Sequence, residues 1–172
     1  MSKNLIIYYS RAGENYADGE IVNLEKGNTE LAAEIIRDAV GAELFKVETV
    51  KDYPADYMSC TEVAKKEFKE KARPELKAYL DSVSEYENIV VAGPCWWGTY
   101  PCAIFSQLEK LDFSGKKVFA LMTHEGSGQA KSVSALRKYC KGAKVGKGIA
   151  VKGSEVDLFE EDIAEWAKKN LG

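Results

Sequence analysis

The 172-residue chain lacks the features that mark several large classes of protein. It has no apolar run near the roughly 18 residues that suggest a membrane span, and its first apolar run, at 5–9, is too short for the core of a secretion signal. The 24 Lys and Arg residues are outnumbered by 27 Asp and Glu, so no basic excess is available to neutralise nucleic-acid phosphates. We therefore expect a cytoplasmic protein that binds neither membranes nor nucleic acids.

Residues that carry metal or nucleophilic chemistry are also scarce. The chain has one histidine and four cysteines, and no two cysteines have C-x-x-C spacing, so the spacing typical of zinc ligands is absent. Neither the G-x-x-x-x-G-K-[ST] nucleotide loop nor the G-x-S-x-G nucleophile elbow occurs. We predict free thiols, no metal site and no catalytic nucleophile.

Strand-like and helix-like segments alternate along the chain, which predicts an α/β fold. Strands are predicted at 5–9, 44–47, 89–92, 117–122 and, more weakly, 145–151. Helices are predicted at 31–39, 61–82 with an interruption at Pro74, 103–111, 130–139 and 157–171, the last with Asp157 as N-cap. This order predicts one domain over residues 1–172, a three-layer, doubly wound, five-stranded parallel sheet with helices on both faces.

The most informative segment is the tryptophan loop, residues 93–101, which directly follows the predicted buried strand at 89–92. Ligands bind at the carboxyl ends of the strands in an open parallel sheet, and this loop carries large aromatic side chains at that edge. A flat aromatic ligand would stack on them, although they could instead belong to the core of a turn. Because consecutive side chains of an extended segment point to opposite faces, at most one of Trp96 and Trp97 is expected to stack.

Two other loops follow predicted strands. The phosphate loop, residues 10–13 and 27–30, combines small polar residues with the start of a helix, where free N–H groups favour an anion; the alternative is an ordinary helix cap by Asn28 or Thr29. Residues 14–26 interrupt it, either as a functional loop or as a tolerated surface insertion. The third loop, residues 123–128, has glycines that allow tight curvature around a flat ligand, and its His124 could bind a ligand or cap the loop.

Together these three loops resemble those of the flavodoxin family, on the residues 8–13, 27–29, 93–101 and 123–128. The resemblance implies strand order 2-1-3-4-5, with FMN bound between the first and third strands. It implies that the FMN phosphate is held by Ser10, Arg11, Ala12, Asn28 and Thr29. It implies that the isoalloxazine ring is flanked by Pro94, Cys95, Trp96, Trp97, Gly98, Thr99 and Tyr100. It implies that the pyrimidine side is wrapped by Thr123, His124, Glu125, Gly126, Ser127 and Gly128.

The chain departs from the family pattern in one place, because the S-x-x-G-N-T phosphate loop is normally unbroken. The resemblance favours a flavodoxin that shuttles low-potential electrons between partner proteins, as a monomer or weak dimer, cycling FMN between semiquinone and hydroquinone. An FMN-dependent NAD(P)H quinone or nitro reductase is the alternative, and a binding module that has lost flavin is a third. A shared fold leaves these functions open, including whether the protein is an enzyme.

Overall fold

The computed structural model describes residues 3–172, which form a central sheet of parallel strands between two layers of helices. The strands are β1 (Asn4–Tyr8), β2 (Gly13–Ala17), β3 (Glu20–Leu24), β4 (Glu43–Lys46), β5 (Asn88–Pro94), β6 (Lys117–His124), β7 (Lys144–Val145) and β8 (Ile149–Lys152). The helices are α1 (Asn28–Val40), α2 (Tyr57–Glu70), α3 (Cys102–Leu108), α4 (Ser132–Tyr139) and α5 (Glu160–Leu171). None of the helices in this part of the chain is long and apolar enough to cross a membrane.

The main sheet has the order β4-β1-β5-β6-β7, with β8 also paired to β6, and all of these pairs are parallel. Its order confirms the predicted doubly wound fold. Both faces of the sheet are covered, since Leu5 and Ile7 of β1 enter one apolar cluster and Ile6 enters the other. Burial on both faces explains why the central strands read as continuous apolar runs rather than alternating ones.

The predicted fifth strand, 145–151, is broken into the two short strands β7 and β8. Gly146 and Gly148 lie between them, pressed against β6. A Cβ atom on Gly146 would overlap the Phe119 ring, and one on Gly148 would lie 2.8 Å from the Ala120 carbonyl oxygen. The close approach of this backbone to β6 therefore interrupts the strand and requires glycine.

Several helix boundaries differ from the prediction, among them both ends of α2 and the start of α5. The predicted helix at 61–82 begins earlier, at α2, because Asp56 caps it by accepting a hydrogen bond from the Ser59 N–H at 2.8 Å. It ends at Glu70, before Pro74, and the chain runs on without a second helix as far as β5. Asp157 is not the N-cap of α5, since it lies within a 3₁₀ helix, Gly153–Phe159, that precedes that helix.

The segment 14–26, expected to be a loop, is instead a β-hairpin formed by β2 and β3, a two-stranded sheet separate from the main one. Its turn, Asp18-Gly19, has φ of 53° and 88°, as a two-residue type I′ turn requires and as Asp-Gly favours. None of the residues of β2 and β3 is buried, so the hairpin stands on the surface, held by contacts at its base and tip.

Candidate functional site

A cavity of about 530 Å³ opens at the carboxyl ends of β1, β5 and β6. The three loops singled out in the sequence meet there, as the topology of a parallel sheet requires. Of the predicted site residues, those that line the cavity are Arg11, Asn28, Thr29, Pro94, Cys95, Trp96, Trp97, Thr123, His124, Glu125, Gly126 and Ser127.

The other predicted site residues do not line this cavity: Ser10, Ala12, Gly98, Thr99, Tyr100 and Gly128. Ser10 and Ala12 instead border a second cavity, of about 500 Å³, that also touches Arg11. Tyr100 is a correction to the predicted site, because its side chain is 1% exposed and its hydroxyl donates to the Val91 carbonyl at 2.7 Å. Its ring lies in the core beneath the tryptophan loop, so it cannot flank a ligand in the cavity.

The two halves of the phosphate loop are reunited in space, although the hairpin separates them in sequence. Gly27 lies so close to the end of β1 that a Cβ atom there would overlap Ser10 Oγ and lie 2.7 Å from the Arg11 carbonyl oxygen. The Ser10 hydroxyl also accepts a hydrogen bond from the Glu30 N–H at 3.1 Å. The hairpin is therefore looped out, and the N-terminus of α1 lies directly beside Ser10 and Arg11.

The start of α1 has the character of an anion site. Gly27 is the N-cap residue and supplies no side-chain cap, so neither Asn28 nor Thr29 acts as the ordinary cap that the sequence allowed. Within residues 3–172, the N–H groups of Asn28 and Thr29 donate to no protein acceptor. Unpaired N–H groups and the helix dipole together favour a negatively charged group at this point.

The side chains of Arg11 and Thr29 are engaged within the protein. The Arg11 guanidinium donates to the carbonyls of Glu14 at 2.9 Å and of Pro54 and Ala55 at 3.0 Å, so it joins three chain segments rather than projecting freely toward α1. The Thr29 hydroxyl forms a buried hydrogen bond of 2.8 Å with the Thr123 hydroxyl. The Thr29–Thr123 hydrogen bond fixes the start of α1 against the end of β6.

The two tryptophans occupy different environments. Trp96 is half-buried, and its ring makes edge contacts with Tyr9 and Tyr53 at centroid distances of 5.2 and 5.1 Å. Trp97 is 44% exposed on the cavity, and its indole N–H donates to the Thr61 carbonyl of α2 at 3.0 Å. The rings diverge because Trp97 and Gly98 form a tight turn with φ of 55° and 85°, closed by the Trp96 N–H to Thr99 carbonyl bond of 2.8 Å.

A positive φ is unfavourable for a residue with a side chain as large as that of Trp97. The left-handed conformation costs a non-glycine residue about 1–2 kcal/mol. The Thr61 hydrogen bond and the Lys65 ammonium, 5.2 Å from the ring centroid, offset part of this cost. The ring is therefore held in a set position at the cavity rather than left to rotate.

The third loop is organised by its own side chains. His124 Nδ1 accepts a hydrogen bond from the Gly126 N–H at 3.0 Å, so this histidine caps the loop, and its remaining nitrogen, Nε2, carries the proton. Burial lowers the pKa of His124, which keeps the imidazole neutral. Glu125 Oε1 accepts from the Asp18 N–H at the hairpin tip at 2.7 Å, and its Oε2 accepts from the Ser154 N–H at 3.1 Å.

The sequence reasoning missed the part of the lining that comes from the hairpin, α2 and the segment after β8. These residues are Asn15, Tyr16, Tyr57, Met58, Cys60, Thr61, Glu62, Ala64 and Gly153. The Asp18-Gly19 dipeptide was a signal for the hairpin, and Asp56 was a signal for the early start of α2. Neither signal indicates that the two elements close over the same cavity.

The chain is similar to a known protein family and to several solved structures. A family model described as Flavodoxin matches residues 23–170. A protein from Bacteroides uniformis ATCC 8492, provisionally classed as a flavoprotein, is 27% identical, with 97% of this chain and 98% of that chain covered and a TM-score of 0.72. No curated protein matches the chain.

Two more distant structures share the fold. A flavoprotein in complex with FMN from Lactobacillus acidophilus NCFM is 24% identical, with 92% of this chain and 98% of that chain covered and a TM-score of 0.64. Oxidised Flavodoxin 2 from Bacillus cereus is 18% identical, with 97% and 96% covered and a TM-score of 0.54.

The contact at Gly27 predicts a large effect from one methyl group. We expect Gly27→Ala to destabilise the protein by roughly 1–3 kcal/mol in urea unfolding, because the new Cβ atom would overlap Ser10 and Arg11. The Ser10→Ala/Gly27→Ala double variant removes the overlap with the Ser10 hydroxyl but keeps the overlap with the Arg11 backbone. Most of the loss of stability should therefore persist in it. An unchanged unfolding midpoint in Gly27→Ala would contradict the close contact.

The environment of His124 predicts its titration. Since it is the single histidine of the chain, its ring signals can be followed by proton NMR without ambiguity. We expect a midpoint below the ordinary value of 6.5, because burial and the bond from Gly126 both favour the neutral ring. The unfolded chain then binds more protons in this window, so stability should fall as the pH drops below about 6.5. A midpoint at or above 6.5 would contradict the assigned hydrogen bond.

Proposed function

We propose that this chain, which belongs to the flavodoxin family, binds FMN in the cavity at the carboxyl ends of β1, β5 and β6 and transfers electrons through it. One observation carries the proposal, namely that an anion-binding helix start and an exposed tryptophan line the same cavity. FMN combines a phosphate with a flat aromatic ring, so it matches both ends of this arrangement. The FMN bound by the Lactobacillus acidophilus flavoprotein supports the same cofactor.

The residues at the start of α1 fit a phosphate group. The backbone N–H groups of Asn28 and Thr29 are free to donate. Because the preceding residue, Gly27, has no side chain, nothing at that position blocks a phosphate from reaching them. Ser10 Oγ, which bonds the Glu30 N–H, lies at the same helix start. We assign the phosphate to these backbone donors, and we assign Arg11 to holding the loop in shape.

The opposite part of the cavity fits the ring. Trp97 offers an apolar face, and the third loop contributes residues 123–127 to the lining. The neutral His124, with its proton on Nε2, is a donor on the cavity wall and adds no positive charge there. When bound, FMN would supply the redox chemistry, while the protein sets its position, its exposure to water and its electrostatic surroundings.

For the electron-transfer role, we propose a one-electron carrier between a reductase and an acceptor protein. Trp97 is 44% exposed and lines the cavity, so the cavity reaches the protein surface at this ring. A cofactor near the surface can exchange electrons with a docked partner without large motions of either protein.

A second candidate is an FMN-dependent NAD(P)H quinone or nitro reductase, and a specific observation favours it. The hairpin and α2 extend the cavity beyond the three loops, contributing Tyr16, Tyr57 and Met58 to its lining. A cavity with an additional wall suits a small ligand bound beside the cofactor. The two candidates share the FMN site and differ in what receives the electrons.

The different environments of the two tryptophans predict different effects of their removal. We expect Trp97→Ala to weaken FMN binding roughly tenfold, measured by flavin fluorescence, because it removes an aromatic contact from the cavity. The loss of stability should be only about 1 kcal/mol, since the ring is 44% exposed and its removal deletes one hydrogen bond to Thr61 and one contact with Lys65. Trp96→Ala is the matched variant, and there we expect a stability loss of roughly 2 kcal/mol or more from the cluster with Tyr9 and Tyr53. Unchanged FMN affinity in Trp97→Ala would contradict its assigned role.

Anaerobic reduction with dithionite distinguishes the two candidate functions. For a one-electron carrier we expect the visible spectra of the FMN-loaded protein to pass through a distinct one-electron-reduced flavin before full reduction. Direct conversion from oxidised to fully reduced flavin, together with rapid reduction by NADPH or NADH, would favour the reductase. A protein that acquires no flavin when FMN is added would contradict both.

A further inference from the structure

The β2–β3 hairpin reaches across the cavity at the carboxyl ends of the main sheet. It is attached to the rest of the protein through Arg11, Tyr57 and Glu125, each of which also lines the cavity. These three residues belong to different elements, namely the loop after β1, the start of α2 and the third loop. Two residues of the hairpin itself, Asn15 and Tyr16, line the same cavity. The hairpin therefore bridges the cavity rather than lying to one side of it.

The base of the hairpin is joined to the loop after β1. The Arg11 guanidinium donates to the Glu14 carbonyl at 2.9 Å, and the Asn15 side-chain amide donates to the Arg11 carbonyl at 2.9 Å. The returning strand, β3, leads through a short bend to Gly27, which is pressed against Ser10 and Arg11. Both strands thus meet the body of the protein at the start of α1, where we assign the phosphate.

Two further contacts, which we call the latches, hold the rest of the hairpin. At the side latch, Glu14 Oε1 accepts a hydrogen bond from the Tyr57 N–H of α2 at 2.9 Å. At the tip latch, the Asp18 N–H donates to Glu125 Oε1 at 2.7 Å, and the Asp18 carboxylate pairs with the Lys152 ammonium at 3.2 Å. Both latches consist of polar groups, so water can replace their partners when they open.

The hairpin can open at the latches without losing its own structure. Its two strands pair along their whole length and are closed by the type I′ turn, so the hairpin can move as one unit. None of its strand residues is buried. Opening would separate one aromatic contact, between the rings of Tyr16 and Tyr57, whose centroids are 6.2 Å apart. Segments with so few buried contacts open at a small part of the free energy of global unfolding.

We propose that the hairpin is a strap that closes over FMN and controls its entry and release. The strap rests on the proposed function, because it runs from the start of α1, assigned to the phosphate, to the third loop, assigned to the ring. With both latches closed, the cofactor has to wait for the hairpin to open, whether it is entering or leaving. A strap therefore slows association and release together, whereas a hairpin that only contacted FMN would slow release alone.

Two point variants each weaken one latch. Glu14→Ala removes the acceptor of the side latch, and Lys152→Ala removes the ion pair of the tip latch; neither residue lines the FMN cavity. Stopped-flow quenching of FMN fluorescence on mixing with flavin-free protein gives the association rate, and recovery of fluorescence on dilution of the loaded protein gives the release rate. We expect both rates to rise about fivefold in Glu14→Ala and about twofold in Lys152→Ala, because an exposed ion pair contributes less than a hydrogen bond to a carboxylate.

Glu20→Ala is the matched control for Glu14→Ala. Glu20 lies exposed on the same hairpin, its side chain carries the same charge, and it takes part in neither latch. Both rates of this variant should equal those of the parent protein.

Removal of the whole strap is the stronger test. Deletion of residues 13–26 joins Ala12 to Gly27 and produces the sequence Ser10-Arg11-Ala12-Gly27-Asn28-Thr29, an unbroken S-x-x-G-N-T phosphate loop. Because Gly27 already lies against the Arg11 backbone, the start of α1 can keep its position. We expect this variant to bind FMN, with association and release each faster by roughly tenfold or more.

The two rates together decide the outcome. Unchanged rates in both latch variants would overturn the strap, and so would faster release with an unchanged association rate, because that result indicates a contact rather than a closure. The latch variants decide the question even if the deletion variant does not fold. FMN binding by the parent protein together with a failed strap leaves the proposed function standing, whereas a parent protein that binds no FMN would overturn both.

Discussion

The contact between Gly27 and the end of β1 is the constraint on which the rest of the site depends. It places the N-terminus of α1 beside Ser10 and Arg11 despite the hairpin that separates them in sequence. The Thr29–Thr123 hydrogen bond then ties α1 to the end of β6, where the third loop begins. A helix start with unpaired N–H groups, an exposed Trp97 and the third loop meet in one cavity because of these two contacts.

The fold was predictable because its strands are buried on both faces. Continuous apolar runs separated by helical patterns leave few arrangements other than a doubly wound parallel sheet, and the observed strand order agrees. The errors fell where local signals compete with tertiary contacts. The fifth strand breaks because the backbone at Gly146 presses on Phe119, and the hairpin at 14–26 has no buried side chain to mark it as a pair of strands.

The candidate site was predictable in part, for a similar reason. Loops that follow buried strands meet at one edge, so Trp97, His124 and Asn28 could be brought together from sequence alone. The part of the lining that comes from the hairpin and α2 could not be predicted. Its position depends on contacts between segments distant in sequence, such as Glu14 to Tyr57 and Glu125 to Asp18. The Tyr100 ring was placed wrongly because its loop position carries no sign that its hydroxyl bonds the buried Val91 carbonyl.

The central claim is that a phosphate loop broken in sequence is restored in space and binds the phosphate of FMN. Comparing the affinities of the flavin-free protein for FMN and for riboflavin, by quenching of flavin fluorescence, tests it most directly, because the two ligands share a ring and differ in the phosphate. We predict that FMN binds at least roughly a hundredfold more tightly, as expected for a charged group on several backbone donors at a helix start. Equal affinities would contradict the account.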